Sequence, residues 1–116
     1  MNKWTKWKAM PSPETCLLIE GPQNEQGQDL PGVYQIRNIK TNQFIQFGIG
    51  KECKLRMKSL FPKPFGLGTR NNEKKREYIL LNWQHLQYRT LATATRAEAK
   101  VIEDKIKAKK NHLFNT

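Results

Sequence analysis

The stretch YQIRNIKTNQFIQFGI, residues 34–49, decides the fold. Its first half alternates, because Tyr34 and Ile36 are apolar whereas Gln35 and Arg37 are polar, and a period of two predicts a β-strand. A mostly polar segment follows at 38–43, and a second β-rich run occupies residues 44–49. Two such runs joined by a short polar loop predict a β-hairpin.

Two helices are predicted after the hairpin, on either side of a loop. Cys53, Met57 and Leu60 recur at the spacing of one helical face, so residues 51–60 are predicted to form the first helix. The prolines and glycines between positions 62 and 68 predict a loop.

The second helix is expected to run to about Trp83. Asn71 or Asn72 is predicted to cap its start, and Tyr78, Leu81 and Trp83 are predicted to face inward.

A third strand and a third helix complete the predicted order of elements. Apolar and polar side chains alternate over residues 85–94, which indicates a strand. Thr95 and Glu98 have the spacing of a capping box, so a helix is predicted from there to about Lys110. The order hairpin, helix, helix, strand, helix predicts an α+β domain, with a three-stranded antiparallel sheet flanked by about three helices.

Residues 1–30 are predicted to be an irregular N-terminal arm that precedes one domain over residues 31–116. The arm is basic and aromatic, with Trp4 and Trp7 in a lysine-rich tract, and residues 16–19 are a candidate short edge strand. The two tryptophans are expected to pack on their own domain. Stacking on nucleic-acid bases and insertion at a membrane surface are the alternatives that remain open.

Positive charge is concentrated in the second half of the chain. The sequence has 116 residues, with 21 Lys and Arg against 10 Asp and Glu, a net charge of +11. Residues 1–50 hold five of the basic and four of the acidic side chains, so nearly all of the excess lies beyond residue 50. This asymmetry favours a polyanionic partner, nucleic acid first and a membrane surface second. The phosphates of a nucleic acid are expected to contact Lys51, Lys54, Lys58, Lys63, Arg70, Lys74, Lys75 and Arg76.

Several classes of protein are excluded or disfavoured. No apolar run is long enough to cross a membrane, and no secretory signal is expected at the N-terminus. Cys16 and Cys53 are the only cysteines, which excludes a disulfide scaffold and predicts reduced thiols in a cytoplasmic protein. His85 and His112 have no partners at metal-binding spacing, and the chain has no phosphate-binding Walker loop.

Glu103 is the acidic side chain with the greatest chemical interest. On a helix it neighbours Ala99 and Ile106, so it borders the apolar stripe. A carboxylate partly buried beside a core needs a partner. A divalent cation and an ordinary ion pair with Lys107 are the two alternatives.

Several short motifs carry a family resemblance. In order they are Gly32-Val33-Tyr34, Gln46-Phe47-Gly48-Ile49-Gly50, Arg56 eight residues after Gly48, Ala99-Lys100-Val101-Ile102-Glu103, and Asn115 twelve residues later. This ordered set resembles the motifs of the GIY-YIG nuclease domain and spans residues 31–116.

The second motif departs from the family pattern. Its opening tyrosine is Gln46 in this chain. A shifted register places Gly48 at that position and Lys58 where the family has its helical arginine. The first register is preferred because it keeps Arg56 as an arginine.

The resemblance implies a DNA endonuclease that hydrolyses phosphodiester bonds with one Mg²⁺ or Mn²⁺ ion. Tyr34 is implied as general base with a lowered phenol pKa, Arg56 as the phosphate ligand, and Glu103 as the metal ligand. Asn115 is implied to orient the metal site. Gln46 can only form hydrogen bonds, so activity is expected to be weak, altered or absent.

Two further expectations concern partners. A single domain of this kind has one active centre, so cutting both strands requires a homodimer or a second encounter. The alternative to an endonuclease is a catalytically silent nucleic-acid-binding module on the same fold.

Overall fold

The central hairpin consists of strands β2 (Gly32–Asn38) and β3 (Gln43–Gly50), which pair antiparallel. Asn38 Oδ1 closes the turn, because it accepts hydrogen bonds from two main-chain N–H groups at 2.9 and 3.1 Å. Asn42 has a φ of 57°, a left-handed conformation that asparagine tolerates better than most residues. The predicted hairpin is confirmed.

The computed structural model describes residues 3–68 and 73–115. The predicted cap residues Asn71 and Asn72 lie outside these ranges, as does Arg70. The remaining elements are β1 (Lys8–Ala9), α1 (Cys53–Met57), α2 (Glu73–Asn82), β4 (Leu86–Ala92), α3 (Arg96–Ala108), and 3-10 helices at Pro13–Leu18, Lys58–Leu60 and Trp83–His85.

The sheet of the described chain has four antiparallel strands in the order β1-β4-β2-β3. The α+β class is therefore confirmed, whereas the prediction of three strands is wrong by one. The additional strand, β1, has only two residues and pairs with β4. So short a strand carries no periodicity. The edge strand predicted at residues 16–19 is also wrong, because this segment belongs mainly to the 3-10 helix Pro13–Leu18.

The alternation along β2 buries side chains on both faces of the sheet. Tyr34 and Ile36 face one core, and Val33 faces the other. The first core includes residues of α1 and α2, among them Cys53, Met57 and Ile79. The second core is closed by α3, through Ala99 and Ile106. Strand β3 is an edge strand whose first residues bond to the C-terminal segment, since the main-chain N–H groups of Leu113 and Phe114 donate to Phe44 and Ile45. Elements from both faces of the sheet can meet beside its second half.

The inward face of α2 differs from the prediction. Leu81 is 75% exposed, so its predicted inward position is wrong, and Ile79 is fully buried. Tyr78 and Trp83 are partly buried against the core, as expected. The buried stripe of α2 starts at Arg76 and continues through Ile79, and Leu81, two residues after Ile79, therefore lies on the opposite side of the helix.

The capping box at the start of α3 is confirmed on its threonine side. Thr95 Oγ1 accepts a hydrogen bond from the main-chain N–H of Glu98 at 3.1 Å. The Glu98 carboxylate accepts from the N–H of Ala94 at 3.4 Å. The cap fixes where α3 begins, and hence the positions of the side chains that it presents to β3.

The two tryptophans of the arm pack on the sheet. The guanidinium of Arg89 lies 4.3 Å from the ring centre of Trp4 and 4.5 Å from that of Trp7. The guanidinium of Arg37, on β2, lies 4.2 Å from the ring centre of Trp7. These cation–π contacts hold the arm against its own domain.

Within the described ranges, no helix has the length and apolar character needed to cross a bilayer.

A chain of buried polar groups links the sheet to the C-terminal segment. Arg89 Nε donates to Gln35 Oε1 at 2.8 Å, which fixes the orientation of the Gln35 amide. The Gln35 nitrogen therefore donates to His112 Nε2, which lies 3.1 Å away. Because Nε2 accepts this bond, the ring is neutral with its proton on Nδ1, which is buried with no hydrogen-bond partner among the described residues.

Aromatic packing reinforces the neutral state of His112. Its ring stacks on Phe44 and meets Phe47 edge-on, with ring centres 5.1 and 4.7 Å apart. Burial lowers the pKa of His112 to about 4, with a smaller contribution from the charge of Lys109. A proton on Nε2 would also place two donors opposite each other.

We expect the free energy of unfolding to fall by about 2 kcal/mol as the pH is lowered from 7.5 to 5. In this interval the unfolded chain protonates His112, whose ordinary pKa is 6.5, while the folded chain does not. The folded state thus binds fewer protons and loses stability as the pH falls. Urea titrations at several pH values measure the effect.

The variant His112→Gln should be less stable at pH 7.5 and should lose most of this pH dependence. His85→Gln, which replaces the other histidine, is the matched control and should keep it. If the free energy of unfolding of His112→Gln falls with pH as steeply as that of the native protein, His112 is not the group responsible.

Candidate active site at the edge of strand β3

A cavity of about 570 Å³ opens beside the second half of β3, at residues 46–50. Its walls come from the hairpin, α1, α2 and α3, so it lies where the two faces of the sheet meet. The described residues that line it are Tyr34, Gln46, Phe47, Gly48, Ile49, Gly50, Arg56, Ser59, Leu60, Lys75, Arg76, Arg96 and Glu103.

Tyr34 lies on β2 directly opposite Gly48 of β3. The phenol ring occupies the space that a side chain at position 48 would need, since a Cβ there would lie 2.6 Å from the ring. Glycine is therefore required for this close approach. The Gln46 side chain lies beside Tyr34 and acts to lower the phenol pKa, while its own Oε1 is buried with no hydrogen-bond partner among the described residues. The glycine of the second motif thus sets the position of the tyrosine of the first.

The pKa of Tyr34 is raised, mainly by burial, although the positive charge of Arg56 acts in the opposite direction. The side chain is 4% exposed. A general-base role requires a lowered phenol pKa, and the protein without a metal ion does not provide it. At neutral pH Tyr34 is a neutral phenol, which can orient a water molecule by hydrogen bonding.

Arg56 lies on α1 and is exposed at the cavity. Its Nη1 donates to Ser59 Oγ at 3.3 Å, and the Ser59 hydroxyl donates to the Arg56 carbonyl at 2.6 Å. Close packing at Gly50 keeps the stem of Arg56 against β3, because a Cβ there would lie 2.9 Å from Arg56 Cβ.

Lys75 and Arg76 bring positive charge from α2. Arg76 is 7% exposed, and its Nε donates to the main-chain oxygen of Ser59 at 2.8 Å. Burial lowers the pKa of both side chains, and the charge of Arg56 lowers them further. Three cationic groups therefore lie close enough to repel one another.

Glu103 is the one carboxylate among the described residues that line the cavity. Its side chain is 18% exposed and pairs with Lys100 at 3.1 Å, one turn earlier on α3, instead of with Lys107. No group of three or more His, Cys, Asp or Glu side chains gathers within the described chain. A single hard oxygen ligand fits a Mg²⁺-like ion, which keeps several waters and takes phosphate oxygens for the rest.

Other predicted site residues lie elsewhere. Asn115 does not line the cavity; its amide donates to the Lys107 carbonyl at 3.0 Å near the end of α3. The main-chain N–H of Lys54 donates to Asp29, and Lys63 borders a second cavity. The predicted phosphate contacts that are described but do not line the first cavity are Lys51, Lys54, Lys58, Lys63 and Lys74.

Sequence reasoning missed two residues of the cavity, Ser59 and Arg96. Ser59 follows α1 and gave no signal, because a lone serine is common in any loop. Arg96 is the first residue of α3, and the capping box that predicted the start of this helix also fixes Arg96 at its N-terminus. Its place at the cavity depends on how α3 packs on the sheet.

Comparisons with known proteins give no relative for this chain. No family model, no curated protein and no solved structure matches it.

Proposed function

We propose that the protein is a divalent-metal-dependent DNA endonuclease with a GIY-YIG-like fold, and that the cavity beside β3 is its active site. The observation that carries the proposal is the meeting of Tyr34, Arg56 and Glu103 around one cavity. These side chains come from three elements that are far apart in sequence. They supply a hydroxyl, a guanidinium and a carboxylate, three groups that phosphodiester hydrolysis can use.

Arg56 binds the scissile phosphate in the proposed mechanism. Its guanidinium is held at the cavity by Ser59 and supplies donors to the phosphate oxygens, whose negative charge grows in the transition state. Tyr34 orients the attacking water as a neutral hydrogen-bonding group, and its close packing over Gly48 holds the phenol in place.

Glu103 is the residue that would hold the divalent ion. When bound, Mg²⁺ or Mn²⁺ supplies positive charge that stabilises the phosphate transition state and favours an ionised water nucleophile. The ion pair with Lys100 holds the carboxylate in position. Because Lys100 also pairs with Asp104 at 3.1 Å, it has a second partner when Glu103 turns to the ion.

One observation favours the alternative, a nucleic-acid-binding module that does not cut. Glu103 is already paired with Lys100, and Gln46 cannot exchange a proton as a tyrosine can. Such a module would use the same cationic cavity to hold a phosphate.

A cytoplasmic location and a homodimer that cuts both strands remain part of the endonuclease proposal.

The protein should nick supercoiled plasmid DNA in the presence of Mn²⁺ or Mg²⁺. Glu103→Gln should lower the rate at least about a hundredfold, because it removes the metal ligand at nearly constant volume, and Arg56→Gln should have a similar effect. Gel assays of nicking over time measure both rates.

Matched controls remove a charge of the same sign outside the cavity. Glu25→Gln changes an exposed carboxylate of the N-terminal arm, and Lys105→Gln changes an exposed lysine of α3; both should cut within about threefold of the native rate. Absence of nicking by the native chain, with DNA binding that weakens with salt, would support the silent module instead.

Tyr34→Phe should lower the nicking rate without changing the shape of its pH profile. The pKa of Tyr34 is raised, so the phenol stays protonated throughout pH 6–9 and acts by hydrogen bonding alone. Rates measured across this interval test the point. An inflection present in the native profile and lost in Tyr34→Phe would show that the phenol ionises during the reaction.

A further inference from the structure

Ser59 brings two arginines of the cavity together. Its hydroxyl oxygen accepts from Arg56 Nη1 at 3.3 Å, while its main-chain oxygen accepts from Arg76 Nε at 2.8 Å. One residue thus anchors a guanidinium from α1 and another from α2. The anchor to Arg76 is a main-chain atom in a short helix, so its position does not depend on a flexible side chain.

The charge around the cavity exceeds what one phosphate needs. The described lining has four cationic side chains, Arg56, Lys75, Arg76 and Arg96, against the single carboxylate of Glu103. Burial lowers the pKa of Lys75 and Arg76, and the positive charge of Arg56 lowers both further, so these cationic groups lie close together at the cavity. A phosphodiester carries one negative charge, whereas a nucleic-acid strand repeats that charge about every 3.4 Å along its axis.

We infer that the two Ser59-anchored arginines bind two successive phosphate groups of one nucleic-acid strand. Arg56 holds the phosphate next to Glu103, and Arg76 with Lys75 holds the adjacent one. Ser59 is a positioning residue that sets the two guanidiniums side by side. The inference rests on the proposed function, since it names the part of the substrate that the same site takes.

The test compares short oligonucleotides that differ only in charge, in EDTA so that none is cut. The probes are the trithymidylate TpTpT, which has two phosphates, and the same molecule with one linkage replaced by an uncharged methylphosphonate. At constant salt the native protein should bind TpTpT at least about tenfold more tightly than it binds the methylphosphonate analogue. Calorimetry measures both affinities.

A third probe distinguishes an internal pair of phosphates from a strand end. The dinucleotide pTpT carries a 5′-phosphate and one phosphodiester. Binding equal to that of TpTpT supports a pocket for any two successive phosphates, whereas binding tighter than that of TpTpT supports the same pocket used at a 5′ end.

Variants test whether the cationic side chains of the cavity cause the ratio between the affinity for TpTpT and the affinity for its methylphosphonate analogue. Arg76→Gln should reduce the ratio to near one, and Ser59→Ala should reduce it by about two- to threefold, because only the Arg56 anchor is lost. Lys105→Gln, a charge outside the cavity, should leave it unchanged. Because Arg76 is buried, its variant is checked by circular dichroism, and Lys75→Gln takes its place if the fold is lost.

The outcomes separate this inference from the proposed function. A ratio near one in the native protein, or a ratio that Arg76→Gln and Lys75→Gln leave intact, would overturn the inference even if the protein nicks DNA. A large ratio that these variants abolish supports the inference even if no cutting is observed.

Discussion

The pairing of Tyr34 with Gly48 across the hairpin is the constraint on which the candidate site depends. A buried phenol ring needs an open position on the neighbouring strand, and glycine provides it at the edge of the sheet. With the ring in that place, the edge of β3 remains accessible, and side chains from α1, α2 and α3 surround it. The packing of the hairpin and the chemistry of the cavity are therefore set by the same contact.

Local signals predicted most of the fold, and they failed where the structure depends on distant contacts. The alternation around Tyr34 gave the hairpin, and the capping box at Thr95 gave the start of α3. Strand β1 was missed because two residues carry no period, and its pairing with β4 is a tertiary contact. Leu81 was misplaced because the buried face of α2 includes the charged residue Arg76, which a hydrophobic pattern does not select.

The candidate site was predictable to a similar extent. Motif spacing selected Tyr34, Arg56 and Glu103, which line one cavity, whereas Asn115 bonds to the end of α3. No sequence pattern could select Ser59, whose importance arises only when α2 packs beside α1. The raised pKa of Tyr34 also follows from burial in the folded chain and changes its expected role from base to hydrogen-bonding group.

Mn²⁺-induced broadening of backbone amide signals in NMR spectra tests the central claim most directly, namely that Glu103 offers one divalent-ion site beside β3. Because the ion is paramagnetic, it broadens signals only from nearby nuclei. The account predicts broadening at residues 46–50 and around Glu103 in the native protein, and its loss in Glu103→Gln. Broadening located elsewhere, or unchanged in that variant, would contradict it.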